Sequence, residues 1–299
     1  MITPQNGIFA QGTHSHYFVE LDLLPGVTPS RALVSLRGLR APDVTSGGVN
    51  FVLAFGADLW RGIAPQQTPP DISVFSDIRG PTGKFAPSRQ HDIWLWFHGS
   101  TPDVVFDHAR NAWLAIRDVA KLAEEQPCFV YRDSRDLTGF VDGTNNPPPL
   151  EAPNVALIPP GQAGGGGSHV LVMRWVHDLE SFHALPVVDQ EHVIGRSKMD
   201  STVLPKEDKH APGHAAHVSG GVFDEEMQIY RRSVPYGTIA EHGLYFLAFS
   251  SKRSRFDHML AKMFGTDAAG KPDPLMDFSK PVGGAYYFAP SLTTWKSCA

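Results

Sequence analysis

Residues 131–146 read YRDSRDLTGFVDGTNN (Tyr131–Asn146), and Pro147, Pro148 and Pro149 follow directly. At the centre Asp142 stands between Gly139 and Gly143. Glycine takes φ > 0 and lets other groups approach its backbone closely, so an acid here is held at a defined place. Asp-Gly is also a common turn pair, and by itself the stretch fits a surface turn. What flanks it decides the fold. Upstream, residues 16–23 (HYFVELDL), 49–60 (VNFVLAFGADLW) and 92–98 (DIWLWFH) read as strands. Residues 30–39 read as a helix, as do residues 104–124, where Val105, Ala109, Ala112, Ile116 and Ala120 form one stripe. A strand at 128–131 closes the set. Strand, helix, strand, strand, helix, strand is a ferredoxin-like order.

Downstream the order returns. Residues 169–176 read as a strand, 178–184 and 186–195 as helices opened by Asp178 and Pro186. Strands are expected at 227–232 and 244–249, a helix at 256–264 stopping at Gly265, and a last strand at 285–288. The expected fold class is α+β: two ferredoxin-like domains with four-stranded antiparallel sheets and peripheral helices, like a dimeric α+β barrel. Residues 1–125 form the first domain and 126–299 the second. The run Gly164 to Gly167 lacks the Lys-Ser/Thr pair and following helix of a phosphate loop, and reads as a flexible loop.

Composition narrows the function. The 299 residues are 42% apolar and 19% charged, which suits a well-cored globular protein. A net charge of -5 without runs of Lys or Arg argues against nucleic acid. No apolar run is long enough to span a membrane and no signal-like start is seen, so a cytoplasmic enzyme is expected. Cys128 and Cys298 are too few and too far apart for a disulfide framework.

Two further segments carry chemistry. His210, His214 and His217 (HAPGHAAH) have a spacing that zinc or copper could use on a helix, but Pro212-Gly213 interrupts it. A single histidine serving haem is a lighter demand, because haem supplies four nitrogens itself. In YRRSVPYG (Tyr230–Gly237), successive strand side chains alternate faces. An inward arginine there needs an anion, either Asp142 or a ligand; otherwise the pair is a surface feature. Arg196, in IGRSKMD, could meet a cofactor carboxylate or cap a helix.

Taken in order, GFVDGTNNP, VIGRSK, AHV around His217, YRRSVPYG, GLYFLAF and LMDFSKPVGGAYYFAPS resemble the dye-decolorizing peroxidase family, closest to its cytoplasmic B-type branch. The resemblance implies haem b (iron protoporphyrin IX) as cofactor. It implies reduction of hydrogen peroxide and oxidation of dyes, phenols or similar aromatic reductants through a ferryl intermediate. His217 matches the proximal iron ligand and Asp277 the carboxylate behind it. Asp142 matches the distal acid and Arg231 the distal arginine, while Ser233 stands where some relatives have Asn. Gly143, Thr144 and Asn145 would run along the haem edge, with Arg196 at a propionate. His210 and His214 match no essential position. A homo-oligomer is implied, and the C-terminal residues do not resemble a tail for an encapsulating compartment. The rivals are a haem-handling or iron-releasing protein and a non-haem site on the three histidines. Because the distal base would be a carboxylate, ordinarily ionised above about pH 4, rather than an imidazole near about 6.5, oxidation of dyes or phenols should peak at acidic pH. A steady-state profile peaking above neutrality for several substrates counts against that base.

Overall fold

In the computed structural model, which describes residues 2–39, 48–205, 213–219 and 227–298, the first half runs β1 (Ser15–Leu23), α1 (Pro29–Leu36), β2 (Asn50–Phe55) and α2 (Ala57–Ile63). A small ribbon follows, β3 (Ile78–Arg79) with β4 (Phe85–Ala86), then β5 (Ile93–Gly99), α3 (Pro102–Ile116) and β6 (Ala120–Phe129). After the short α4 (Ala152–Ala156), the second half runs β7 (Ser168–His177), α5 (Leu179–Ala184), α6 (Val187–Ile194) and α7 (His214–Ser219). It ends with β8 (Tyr230–Arg231), β9 (Val234–Gly237), β10 (His242–Ser250), α8 (Ser254–Phe264), β11 (Ser279–Ala289) and α9 (Leu292–Ser297).

The expected α+β class and the ferredoxin-like repeat are both present. The sheet order is β6-β1-β5-β2 and then β11-β7-β10-β8, with β9 also on β10. Each half thus places its fourth strand beside its first, then its third, then its second. Phe55 on β2 pairs with Phe288 on β11 to join the halves, and β6 lies against β9 at the other side, so the sheet curls towards a barrel.

Alternation along the strands sorts the core. On β5, Ile93, Leu95 and Phe97 pack under the helices of the first half. Trp94 and Trp96 point the other way and join Phe18, Val172, Leu247 and Tyr287 in one cluster shared by both halves. Behind β7 and β10, Met173 and Trp175 pack with Met259, Leu260 and Met263 of α8.

Three local expectations are corrected. The helix expected to Glu124 stops at Ile116, and residues 120–129 pair with β1 instead. The apolar stripe ran on by coincidence, and a full cross-strand ladder outweighs helix propensity. The division expected between residues 125 and 126 falls within that strand. The long strand expected to Trp60 ends at Phe55, and Ala57–Ile63 turns into α2, where Trp60 is fully buried against Phe55 and Phe288. Gly164 to Gly167 is a buried turn rather than a loose loop. It packs so closely on Phe288 that a Cβ on Gly167 would lie 2.6 Å from that ring.

Candidate active site

The turn around Asp142 is built by its own neighbours. Arg135 bridges to Tyr131 and to Val141, and its guanidinium donates to the carbonyls of Gly139 and Lys198, each at 2.8 Å. The backbone is left-handed at Gly139 (φ 90°) and Gly143 (φ 75°), as a turn of this tightness requires. Asp142 N donates to Ser134 O at 3.1 Å, and Gly143 N donates to Asp142 Oδ1 at 2.6 Å.

Arg231 is carried by β8, and Asn146 ties that strand to the turn. Asn146 Nδ2 donates to Arg231 O at 2.8 Å, while Arg231 N donates to Asn146 Oδ1 at 2.9 Å. This reciprocal clamp was not singled out from sequence, although the doubled asparagine of GTNN was its visible signal. Ser233 accepts from Leu247 N at 3.3 Å.

Two cavities meet at this pair of side chains. One, of about 870 Å³ including its mouth, lies between the β7–β10 face and α7–α8, with largely apolar walls that include Met173, Trp175, Phe246 and Met263. The other, of about 1080 Å³ including its mouth, is polar and lies at the barrel end, where Thr13, His16, Arg232 and Ser233 line it. Asp142 and Arg231 line both.

His214 also lines the apolar cavity, one turn from Val218 on the same face of α7. Gly213 begins that helix, and a Cβ there would lie 2.5 Å from His192 O and 2.7 Å from Gly195 N. The close approach sets where α7 starts. His214 Nδ1 donates to Asp273 Oδ2 at 2.6 Å, since a carboxylate can only accept. The Asp273 side chain is fully buried, and its Oδ1 accepts from Leu275 N at 2.9 Å. That leaves His214 Nε2 as the ring nitrogen available to a metal.

The other histidines fall differently. His217 is on α7 but does not line the cavity. Asp277, expected behind His217, pairs instead with Lys84 and is 66% exposed, because the turn Pro274–Asp277 sends its last carboxylate outward and buries Asp273. His210 lies outside the described residues. Among the described residues, no group of three or more His, Cys, Asp or Glu side chains is placed to hold a metal ion.

Arg196 follows the end of α6. It donates to Asn145 Oδ1 at 2.5 Å and Ser201 O at 2.6 Å. Burial, and then the positive charge of Arg231, push the Arg196 guanidinium below its usual pKa. Among the described residues neither arginine is paired with a carboxylate. Two guanidiniums without a carboxylate partner call for an anion. A flat apolar group with carboxylates at one edge, ligated by one histidine, fits these features.

A second acid, its side chain 14% exposed, shares the cavity. Asp136 Oδ1 is 3.1 Å from His177 Nε2, and its Oδ2 accepts from Thr138 N at 2.9 Å and Thr138 Oγ1 at 2.5 Å. Burial alone would raise the Asp136 carboxyl, but the His177 ring and the Thr138 bonds outweigh it and hold it at about 2, against 3.8. A depressed folded-state value contributes stability that is present above the unfolded value and lost as pH falls through the folded one. Here that is about 2–3 kcal/mol, lost on going from roughly pH 4 to pH 2. Asp136→Asn should therefore show a shallower fall of the thermal midpoint over that window. Parallel melting curves for the two proteins would exclude the pair as a stabilising contact.

A family model described as "Dyp-type peroxidase, C-terminal" matches residues 133–294, and one described as "Dyp-type peroxidase, N-terminal" matches residues 38–130. The dye-decolorizing peroxidase of Mycobacterium tuberculosis is 32% identical over 264 residues, 87% of this chain and 78% of the relative. A Shewanella oneidensis protein described as dyp-type superimposes with a TM-score of 0.91 at 30% identity, covering 99% of each chain. A variant of DypB from Rhodococcus jostii RHA1, in complex with heme, gives a TM-score of 0.88 at 26% identity over 98% of each chain.

Proposed function

This chain belongs to the Dyp-type peroxidase family, and from that premise we propose which of its residues carry the reaction. It is a haem-dependent peroxidase that reduces hydrogen peroxide at the expense of dyes, phenols or similar reductants. The relatives do not favour the haem-handling alternative.

One observation carries the assignment: a carboxylate-backed histidine and an acid–arginine pair line one apolar cavity. His214, not His217, would hold the haem iron, with Asp273 in the role expected of Asp277. The buried carboxylate fixes the tautomer and strengthens the imidazole as a donor. Haem, when bound, supplies the iron that takes peroxide and the electrons that cleave its O–O bond.

The rest is the work of side chains. Asp142 takes the proton from the peroxide oxygen nearer the iron and returns it to the oxygen that leaves. Arg231 stabilises the anionic peroxide and the charge that develops as the bond breaks. Asn146 positions Arg231 through its backbone. Arg196, steadied by Asn145, holds a propionate, and Gly143 and Thr144 follow the haem edge. Ser233 stands on the polar cavity through which peroxide arrives and water leaves. Reconstitution with haem tests the reading as a whole: a Soret band and peroxide-dependent oxidation of a dye are expected. A protein that takes up haem without reacting with peroxide would overturn it.

The repeated strand order supports division into residues 1–125 and 126–299, although the pairing of residues 126–129 with β1 favours a boundary a few residues later. Family resemblance supports a homo-oligomer, which light scattering would test. Among the described residues no helix is long and apolar enough to cross a membrane, and a cytoplasmic setting is our reading.

A further inference from the structure

Inside the barrel lies a carboxylate that the reaction above does not use. Glu20 on β1 is 7% exposed, and each of its oxygens accepts from a buried phenol. Tyr287 Oη donates to Oε2 at 2.5 Å, and Tyr245 Oη donates to Oε1 at 3.1 Å. Each phenol oxygen already accepts an N–H from elsewhere: Trp94 Nε1 reaches Tyr245 Oη at 3.0 Å, and His91 N reaches Tyr287 Oη at 3.3 Å. Both phenolic hydrogens are thereby aimed at Glu20.

Among the described residues no Lys or Arg is paired with Glu20. His91, the cationic group that faces it, is itself engaged by Asp22 at 2.9 Å and Glu124 at 3.9 Å. An acid so placed is costly to ionise. Burial raises the Glu20 carboxyl to about 7, against the opposing pull of Tyr287, His91 and Tyr245, with Glu124 adding to the rise. Aromatic packing alone needs no acid, and a phenylalanine pair beside an apolar residue would fill the space.

A ladder of rings leads from this cluster to the active site. Trp94 lies 6.3 Å from Tyr287 and 6.2 Å from Trp96 between ring centroids, with Phe18 packed on both tryptophans. Trp96 stacks on His16 at 5.7 Å, and the Arg232 guanidinium sits over it at 5.1 Å. His16 and Arg232 line the polar cavity, beside Arg231 and Asp142. A phenol that loses an electron becomes a strong acid and must shed its proton. A carboxylate already accepting that hydrogen takes it without any atom having to move far.

We propose that Tyr287, with Tyr245 beside it, is a buried redox site of this peroxidase. One electron passes through Trp94 and Trp96 to the oxidising equivalent that hydrogen peroxide leaves in the active site. The phenolic O–H bond breaks as an O–H bond forms on the Glu20 carboxylate, leaving a neutral tyrosyl radical. A reductant's electron and the proton held on Glu20 later restore the phenol. The site rests on the haem-peroxidase reading, and its test separates the two.

The holoenzyme is mixed with peroxide without reductant near pH 8, about a unit above the Glu20 value, frozen, and followed by electron paramagnetic resonance. Protein containing ring-deuterated tyrosine is run in parallel, and haem absorbance is recorded throughout. A radical signal that narrows on deuteration is expected, lost in the Tyr245→Phe plus Tyr287→Phe double variant and lost in Glu20→Gln. These substitutions remove only hydroxyls or a charge, and an unchanged Soret band with a preserved thermal midpoint establishes that each variant is folded. A signal that does not narrow, or that survives in full in the double variant or in Glu20→Gln, overturns the proposal while leaving the peroxidase reading intact. Haem that does not respond to peroxide at all would sink both.

Discussion

His214→Ala is expected to abolish haem retention, while His217→Ala leaves it. His214 lines the apolar cavity and has its Nδ1 committed to the buried Asp273, so its Nε2 is presented in one tautomer and one orientation. Gly213 holds the start of α7 against the end of α6, which leaves the helix no room to rotate His217 into that place. Haem would be offered to each variant, excess removed by dialysis, and the Soret absorbance compared per mole of protein. Added imidazole should restore part of the band in His214→Ala, because it replaces the missing ligand without repairing the helix. Asp273→Asn keeps the histidine but loses the charge behind it, and changes of this kind cost roughly 10–100-fold in affinity or activity. A Soret band kept in His214→Ala and lost in His217→Ala would reverse the assignment.

Arg231→Leu should slow the reaction with peroxide by roughly 10²–10³-fold, about 3–4 kcal/mol, the loss typical of one preorganised donor to a developing negative charge. Asp142→Asn should slow it by about 10²–10⁴-fold, since the amide keeps the shape but cannot take a proton. Rapid mixing that follows haem absorbance, at equal haem loading, measures both. Asn146→Ala leaves both groups in place yet frees the backbone of Arg231 from its two bonds with the carboxamide. A misplacement of about 1 Å can cost on the order of 10²-fold, so this variant should fall between wild type and Arg231→Leu. If Asp142→Asn and Arg231→Leu react as fast as wild type with haem loaded, the two side chains do not serve the O–O bond.

Much of the architecture was legible in the chain. Strands such as HYFVELDL and DIWLWFH alternate or are apolar throughout, and their order with the intervening helices specified two ferredoxin-like units. Where reading failed, a local pattern was overruled from a distance. The stripe continuing through Ala120 looked helical, but β1 offered residues 120–129 a ladder. At the site, GFVDGTNNP and YRRSVPYG pointed to Asp142 and Arg231 through their resemblance to the family, since read alone each also fits a surface feature.

The ligand was the point that spacing could not decide. The chain alone pointed to His217 as the ligand and Asp277 as its partner, because those residues fall in segments that match the family in order, and it left His214 without a role. Which histidine and which acid depended on the tertiary structure. Three residues separate His214 from His217, and a helix sends them to different directions; only contact with Asp273, buried beneath the turn that exposes Asp277 to Lys84, selects one. The same holds for Asp142. Its turn was written in GFVDGT, but its role rests on two cavities meeting at its carboxylate and at Arg231, a juxtaposition made by strands and loops far apart in the chain.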